Sequence, residues 1–383
     1  MTDTSDSRYA RVFGDTPRNT PSRLGEDELW WAERHQWFKD NGYELRQRYA
    51  PDWIPSWRDS KKPFYHCEDG YPMLDTRLLD AVRLSDGQFV MLKMIFESRH
   101  PHEVEIGQYL SSEPLASDPA NHCVPLYEVL RVPHDDADDD IRLILVMPLL
   151  RTFDDPPFDT VGEVLDLCGQ VFDGLKFMHD HHVAHRDCSE LNIMMDATPM
   201  FIGGWHPVQR STKRDFSGDV NYYTRTKRPP RYYYIDFGIS RRYDASVSDP
   251  KEEVIEGGDK SVPEHQPNCP PQNPFRTDIY CVGNVIKERF LMETRGLEFL
   301  TPLVEDMRQS DPTKRPTADE VVERFDNLVN GLSFWKLRSR VVYNTDGMFT
   351  NVFRGMVHWS RRLRFVVTQT PSIPKPSPLV VIE

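Results

Sequence analysis

A chain of 383 residues has room for two structural units, or for one large two-lobed domain with extensions. With 38% hydrophobic and 11% aromatic residues it can build a core, which argues against wholesale disorder. Its formal net charge of −13 argues against a broad basic surface, so nucleic acid is not an expected partner.

In chain order, the residues before Glu26 are polar. The stretch from Glu26 to Ala50 then spaces Leu29, Trp30, Trp37 and Tyr43 at roughly helical intervals, predicting a docking helix stopped by Pro51 and Pro55. Residues 1–71 are thus expected to form an N-terminal extension. From 72 to 150 the pattern is strand-rich. LLDAVRL and FVMLKMIF read as two strands joined at Ser85-Asp86-Gly87, HEVEIGQYL as a short helix, and VPLYEVLRV and IRLILVMPLL as strands around an acidic, solvated tip at 134–140.

Helices dominate from 151 to 333. Val161, Val164, Leu165, Cys168, Val171, Phe172, Leu175 and Met178 share one face of the first. DIYCVGNVIKERFL reads as the next, and two more flank SDPTKRPT. A long segment, 194–234, is expected to be an elaborated loop between two short strands. The tail, 334–383, contains the basic, partly amphipathic VFRGMVHWSRRLRFVV and a proline-rich end. A packed helix or strand is the favoured reading there, with a membrane-surface or partner helix as the sharper alternative. Strands first and helices later predict an α+β protein in two lobes.

Six scattered cysteines without a Cys-x-x-Cys pair argue against a zinc ribbon and fit a reducing compartment. The first residues carry no apolar signal core, and no stretch reaches the ~18 apolar residues of a membrane span. A cytoplasmic or nuclear protein without a transmembrane segment is therefore expected; the oligomeric state is not legible.

Three short motifs carry chemistry. In AHRDCSELN, Asp187 can take a proton from an attacking hydroxyl, and Asn192 can offer an amide oxygen to a metal. In YYYIDFG, an apolar strand ends at Asp236, a carboxylate that can hold the same metal; Phe237 can pack inward, and Gly238 permits a sharp turn. In FVMLKMI, Lys93 stands on an apolar strand and must snorkel to solvent or find an anionic partner. Glu103 shares a helical face with Ile106 and Leu110 and is the favoured carboxylate, ahead of Glu105.

Over roughly residues 72 to 330 these motifs resemble a eukaryotic-type protein kinase, in the style of divergent kinase-like proteins of fungi. VMLK is similar to the family's lysine motif, HEVEIGQYL to its C-helix, HRDCSELN to its catalytic loop and DFG to its metal motif. VPEH, DIYCVGNVI and DPTKRPT are similar to the segments that carry the family's buried glutamate, aspartate and arginine, here Glu264, Asp278 and Arg315. The resemblance implies a two-lobed fold with a small β-rich N-lobe and a larger helical C-lobe, binding ATP and Mg²⁺. It also implies that Asp187, Lys93 and Glu103 are catalytic, that Asn192 and Asp236 hold metal, and that Lys93, Met147 and Leu150 contact the nucleotide, with Met147 as gatekeeper. The expected activity is transfer of the γ-phosphoryl group to a protein serine or threonine.

The chain departs from the family at three places. No glycine-rich loop precedes LLDAVRL, and Asp75 or Asp80 would repel phosphates there. Ser189 and Gly257 replace an interacting lysine and threonine, and Gly107 replaces a leucine of the C-helix. The alternative is therefore a pseudokinase acting as a binding or regulatory module. A small-molecule kinase is disfavoured by the Glu264, Asp278 and Arg315 set. Asp249, Glu252, Glu253 and Glu256 are candidates to satisfy Arg186 without phosphorylation.

Overall fold

The computed structural model describes residues 22–133, 140–255 and 258–376. Residues 134–139 of the acidic tip, Glu256 and Gly257 lie outside them. The fold is mixed α+β: a curled antiparallel sheet, smaller sheets and several helices. The chain divides into two compact units. The first holds the described residues up to Arg99, with Leu126–Leu149 and Phe201–Tyr222. The second holds His100–Pro125, Leu150–Met200 and the chain from Tyr223 onward. Two stretches fall elsewhere than the boundaries drawn from sequence: 100–125 joins the helical unit, and 201–222 joins the sheet unit.

In the first unit, the long helix expected over Glu26–Ala50 does not form. It is replaced by α1 (Glu26–Glu33), α2 (His35–Asp40) and a strand, β1 (Tyr43–Leu45). Gly42, at φ 90°, adopts the left-handed conformation that turns the chain back, and Tyr43 and Leu45 alternate with Glu44 as a strand requires. β1 then pairs antiparallel with β2 (Leu78–Arg83), so the N-terminal stretch supplies an edge strand as well as docking helices. β2 and β3 (Phe89–Phe96) form the predicted hairpin, with Gly87 at φ 72° and Asp86 accepting from the Gln88 amide at 3.1 Å. β5 (Arg142–Pro148) and β4 (Glu128–Arg131) complete a five-stranded sheet in the order β1-β2-β3-β5-β4.

One face of this sheet, with Leu79, Ala81, Val90 and Leu92, is buried against Trp31 and Phe38 of α1 and α2. Burying each of those two aromatic rings contributes about 1.5–3 kcal/mol. Alternation puts Asp80, Val82, Phe89, Met91 and Lys93 on the opposite face.

The second unit is organised around α4 (Val161–Asp180), preceded in the chain by α3 (Glu103–Leu110) and β6 (Arg151–Thr152). All eight residues predicted for the apolar face of α4 are buried. Thr160 caps it, and Glu163 closes a capping box while also accepting from the Thr226 amide and hydroxyl at 2.9 and 2.7 Å. A Cβ on Gly174 would lie 2.6 Å from that of His122, so only glycine allows this approach. β7 (Val183–Ala184), β8 (Ile193–Asp196), β9 (Arg231–Tyr234) and β10 (Arg241–Arg242) follow, with β6-β8-β9 forming one sheet. The 194–234 segment thus connects β8 to β9, as expected. α5 (Pro274–Ile286) continues into a π-helical turn, Lys287–Met292. β11 (Thr294–Arg295), α6 (Thr301–Met307) and α7 (Ala318–Asn330) come next. α8 (Phe334–Leu337), β12 (Val342–Tyr343) and a twenty-residue terminal helix, α9 (Met348–Val367), complete the described chain. No described helix is long and apolar enough to cross a membrane.

Candidate active site

The loop between β7 and β8 is held from below by Asp278 on α5. This carboxylate is fully buried. Oδ1 accepts from the Arg186 amide at 2.7 Å and Oδ2 from the His185 amide at 2.8 Å. Arg186 takes φ 70°, a conformation that costs a non-glycine residue about 1–2 kcal/mol, and the two charge-assisted bonds hold it there. His185 fixes the loop from the other side: its Nε2 lies 3.0 Å from the Ile235 carbonyl, and its ring packs 5.0 Å from that of Phe237. Phe237 is buried, as expected of it, while Asp236 beside it is exposed at φ 65°.

Asp187 therefore emerges half-buried beside two polar neighbours. Asn192 Nδ2 donates to its Oδ2 at 2.8 Å and to its carbonyl at 3.0 Å. The nearby Ser189 hydroxyl favours the charged form of the same carboxylate. A neutral donor thus stands where the family resemblance called for lysine. Burial raises the Asp187 pKa above the ordinary carboxylate range, and the nearby charge of Asp236 raises it further. Two mutually repelling carboxylates and an amide oxygen are hard donors, the set that suits Mg²⁺ completed by water and phosphate. Among the described residues, no group of three or more His, Cys, Asp or Glu side chains is placed to hold a metal ion. A cation here would depend on Asn192 and on the ligand's own oxygens.

Glu103 opens α3 and is buried, whereas the Glu105 side chain is 64% exposed, so the inward carboxylate is the one expected. His100 Nδ1 stands 3.8 Å from Glu103 Oε2 and 3.4 Å from the Gly238 carbonyl, linking α3 to the turn after Asp236. Gly107 is buried in the same helix. Leu150 is buried immediately before β6.

The segment after Gly238 is fastened without phosphate. The Arg186 guanidinium lies 3.3 Å from Glu252 Oε2 and donates to the Ile239 carbonyl at 3.1 Å. Tyr243 donates to the other Glu252 oxygen at 2.8 Å. Further on, Arg315 grips both oxygens of Glu264, and both side chains are buried. Arg315 also donates to the carbonyls of Gln309 and Arg276, each at 2.8 Å.

In the first unit, Lys93 lies midway along β3, opposite Leu78 and Leu145, and Met147 pairs with Met91. Asp75 is within electrostatic reach of Lys93 and is bridged by Arg77 at 3.2 Å. Asp80 does not offer the bare repulsive charge expected of it. Fully buried, it meets Arg46 Nε at 3.0 Å and is also gripped by Arg214, a residue of the 201–222 segment. Burial alone would raise the Asp80 pKa, but Arg46 and then Arg214 outweigh it and hold the group below the usual range. The Arg214 guanidinium also stacks 4.0 Å from the centre of the Phe89 ring. The face of the sheet that carries Lys93 is therefore partly roofed by the chain itself. A cavity of about 700 Å³ remains beside it, lined by Arg46, Glu68, Phe89, Lys213 and Arg214 among others. This cluster is only half legible in the sequence. A carboxylate between Leu79 and Ala81 signals a buried partner, but nothing local points to a residue 134 positions away.

No protein-family model matches the chain, and no curated protein matches it.

Proposed function

We propose that the chain is a protein kinase-like phosphotransferase, with the sheet unit and the helical unit as its two lobes. It transfers the γ-phosphoryl group of ATP to a serine or threonine hydroxyl of a protein. The observation that carries this reading is the Asp278 carboxylate, which binds two consecutive backbone amides and presents Asp187 and Asn192 beside Asp236. Asp187 orients the acceptor hydroxyl and takes its proton; its raised pKa makes it a better base than an ordinary aspartate. Asn192 and Asp236 are the protein's oxygen donors to Mg²⁺, which neutralises phosphate charge when bound. Lys93, on the third strand of the sheet, binds the phosphates, with Glu103 as the matching carboxylate of the C-helix; Met147 and Leu150 are the adenine contacts. Ser189 replaces a lysine's charge by a single hydroxyl donor, so acceptor-side stabilisation is weaker than in the family pattern.

A specific observation supports a second reading. The 201–222 segment covers part of the Lys93 face through Arg214, and no glycine-rich loop offers bare amides to phosphate. A pseudokinase module would show this. Thermal denaturation with millimolar ATP and Mg²⁺ tests whether nucleotide binds at all. Binding stabilises by mass action, about 2.7 kcal/mol at a hundredfold excess over Kd. No rise in midpoint would sink the phosphotransferase reading.

A further inference from the structure

Helix α9 packs on the second unit in an unusual sense. His358 and Phe365 are its buried residues, and Asp159 holds it there, lying 3.3 Å from both His358 Nδ1 and Arg361 Nη1. Arg354 bonds Asp346 at 2.9 Å near the start of the helix. After its end, Arg338 grips the Thr370 carbonyl, and Ser372 lies so close to Gly162 that a Cβ there would sit 1.9 Å from its oxygen. Both ends are thus fastened, and the edge that carries His358 and Phe365 faces inward.

The apolar side faces solvent. Phe349, Val352, Phe353, Met356, Trp359 and Leu363 are exposed, from 56% at Val352 to 91% at Phe349. At helical spacing they occupy an arc of about 120°, opposite His358 and Phe365. Arg364 borders one edge of this stripe. Arg362 borders the other, stacked 4.8 Å from the rings of both Trp359 and the exposed Trp335. The helix contains four arginines and no acid. From Gly331 to Pro376, eight lysines and arginines stand against one acid, Asp346, in a chain of net charge −13.

We propose that α9 is an in-plane docking surface for an anionic phospholipid bilayer. An apolar stripe with tryptophan at its margin and arginines on both flanks matches the boundary between headgroups and acyl chains, where arginine can snorkel to phosphate. Charge decides the occupant. A second copy of this helix would bring Arg362 and Arg364 against their own kind with no helix acid to meet them, whereas an anionic surface neutralises them. The helix lies on the bilayer; it does not span it.

The test is sedimentation of the full chain with phosphatidylcholine vesicles, alone or with about 30% phosphatidylserine. The expected result is pelleting with the anionic vesicles, at least about tenfold weaker with phosphatidylcholine alone, and falling as salt rises. Replacing Arg362 and Arg364 by Gln should weaken binding about 25-fold, at about fivefold per arginine. The exposed pair Phe349→Ser/Phe353→Ser should abolish pelleting while leaving the circular dichroism unchanged. The proposal is overturned if wild type shows no preference for anionic vesicles, or if pelleting survives the paired phenylalanine substitutions. A dimer seen by light scattering and broken by those same substitutions, without lipid binding, would assign the stripe to a second copy instead.

Discussion

Replacing Asp278 should loosen the loop between β7 and β8 more than it disturbs any other part of the second unit. The side chain is fully buried and accepts two backbone N–H bonds at 2.7 and 2.8 Å from consecutive residues, one of them in a left-handed conformation. Asp278→Ala removes both acceptors and leaves two buried amides unpaired. A charge-assisted bond contributes about 1.5–3 kcal/mol, so a loss of about 3–5 kcal/mol is expected. Asp278→Asn keeps the shape and one good acceptor but turns an NH₂ toward the second amide; about 1.5–3 kcal/mol should be lost. Urea unfolding gives the magnitude, provided the slope is unchanged. Amide exchange at His185 and Arg186 gives the location, and it should accelerate in both variants while α7 stays protected. If Asp278→Ala lost under about 1 kcal/mol, or if exchange at His185 and Arg186 stayed slow, the carboxylate would not be what holds the loop.

Three other outcomes follow from charge and burial. Burial on α4 lifts the Asp166 pKa to about 8, so the group is protonated in the folded chain at neutral pH but ionised in the unfolded one. Its folded pKa is raised, so stability is fullest below the unfolded value near 4 and declines as pH rises toward 8; Asp166→Asn should stabilise by a few kcal/mol at pH 7 and by little at pH 4, read by denaturant titration at both. The Asp80 pKa is depressed, so its contribution is present above the ordinary carboxylate value and lost as pH falls below it. Arg214→Ala should cost about 3 kcal/mol at neutral pH and much less in acid, with faster exchange across 201–222; equal losses at both pH values would contradict the pairing. If Asp187 is the base, the acid limb of the pH–rate profile lies above the ordinary aspartate range, and Ser189→Ala, which removes a bond favouring the charged form, moves it higher still.

The sequence made the local layer visible. The β2–β3 hairpin was legible because Ser85-Asp86-Gly87 offers the turn chemistry, and α4 because eight apolar residues recur at one face. The choice of Glu103 over Glu105 followed from the same periodicity. What escaped was non-local. Aromatic spacing across Glu26–Ala50 imitates one helix, yet the left-handed Gly42 and the open edge of β2 convert its end into a strand. The Asp80 cluster joins three separate stretches, Arg46, Asp80 and Arg214, which no window of sequence contains. The terminal helix was readable as amphipathic, but the favoured reading had it simply packed. It does pack, by the edge that carries His358 and Phe365, because Asp159 offers a carboxylate to His358 and Arg361 and leaves the apolar stripe outward. In the candidate site, the order of motifs pointed to the residues proposed for it, while the choice of Glu252 among the candidate acids to meet Arg186 shows only in the fold.

The central claim is phosphoryl transfer through Asp187 beside Asp236. Incorporation of label from γ-labelled ATP into a generic protein substrate, with Mg²⁺, tests it most directly. The account predicts incorporation by the wild-type chain on serine or threonine, reduced at least about a hundredfold in Asp187→Ala and in Asp236→Ala. Activity that survives both substitutions, or a wild-type chain that binds ATP and transfers nothing, would contradict it.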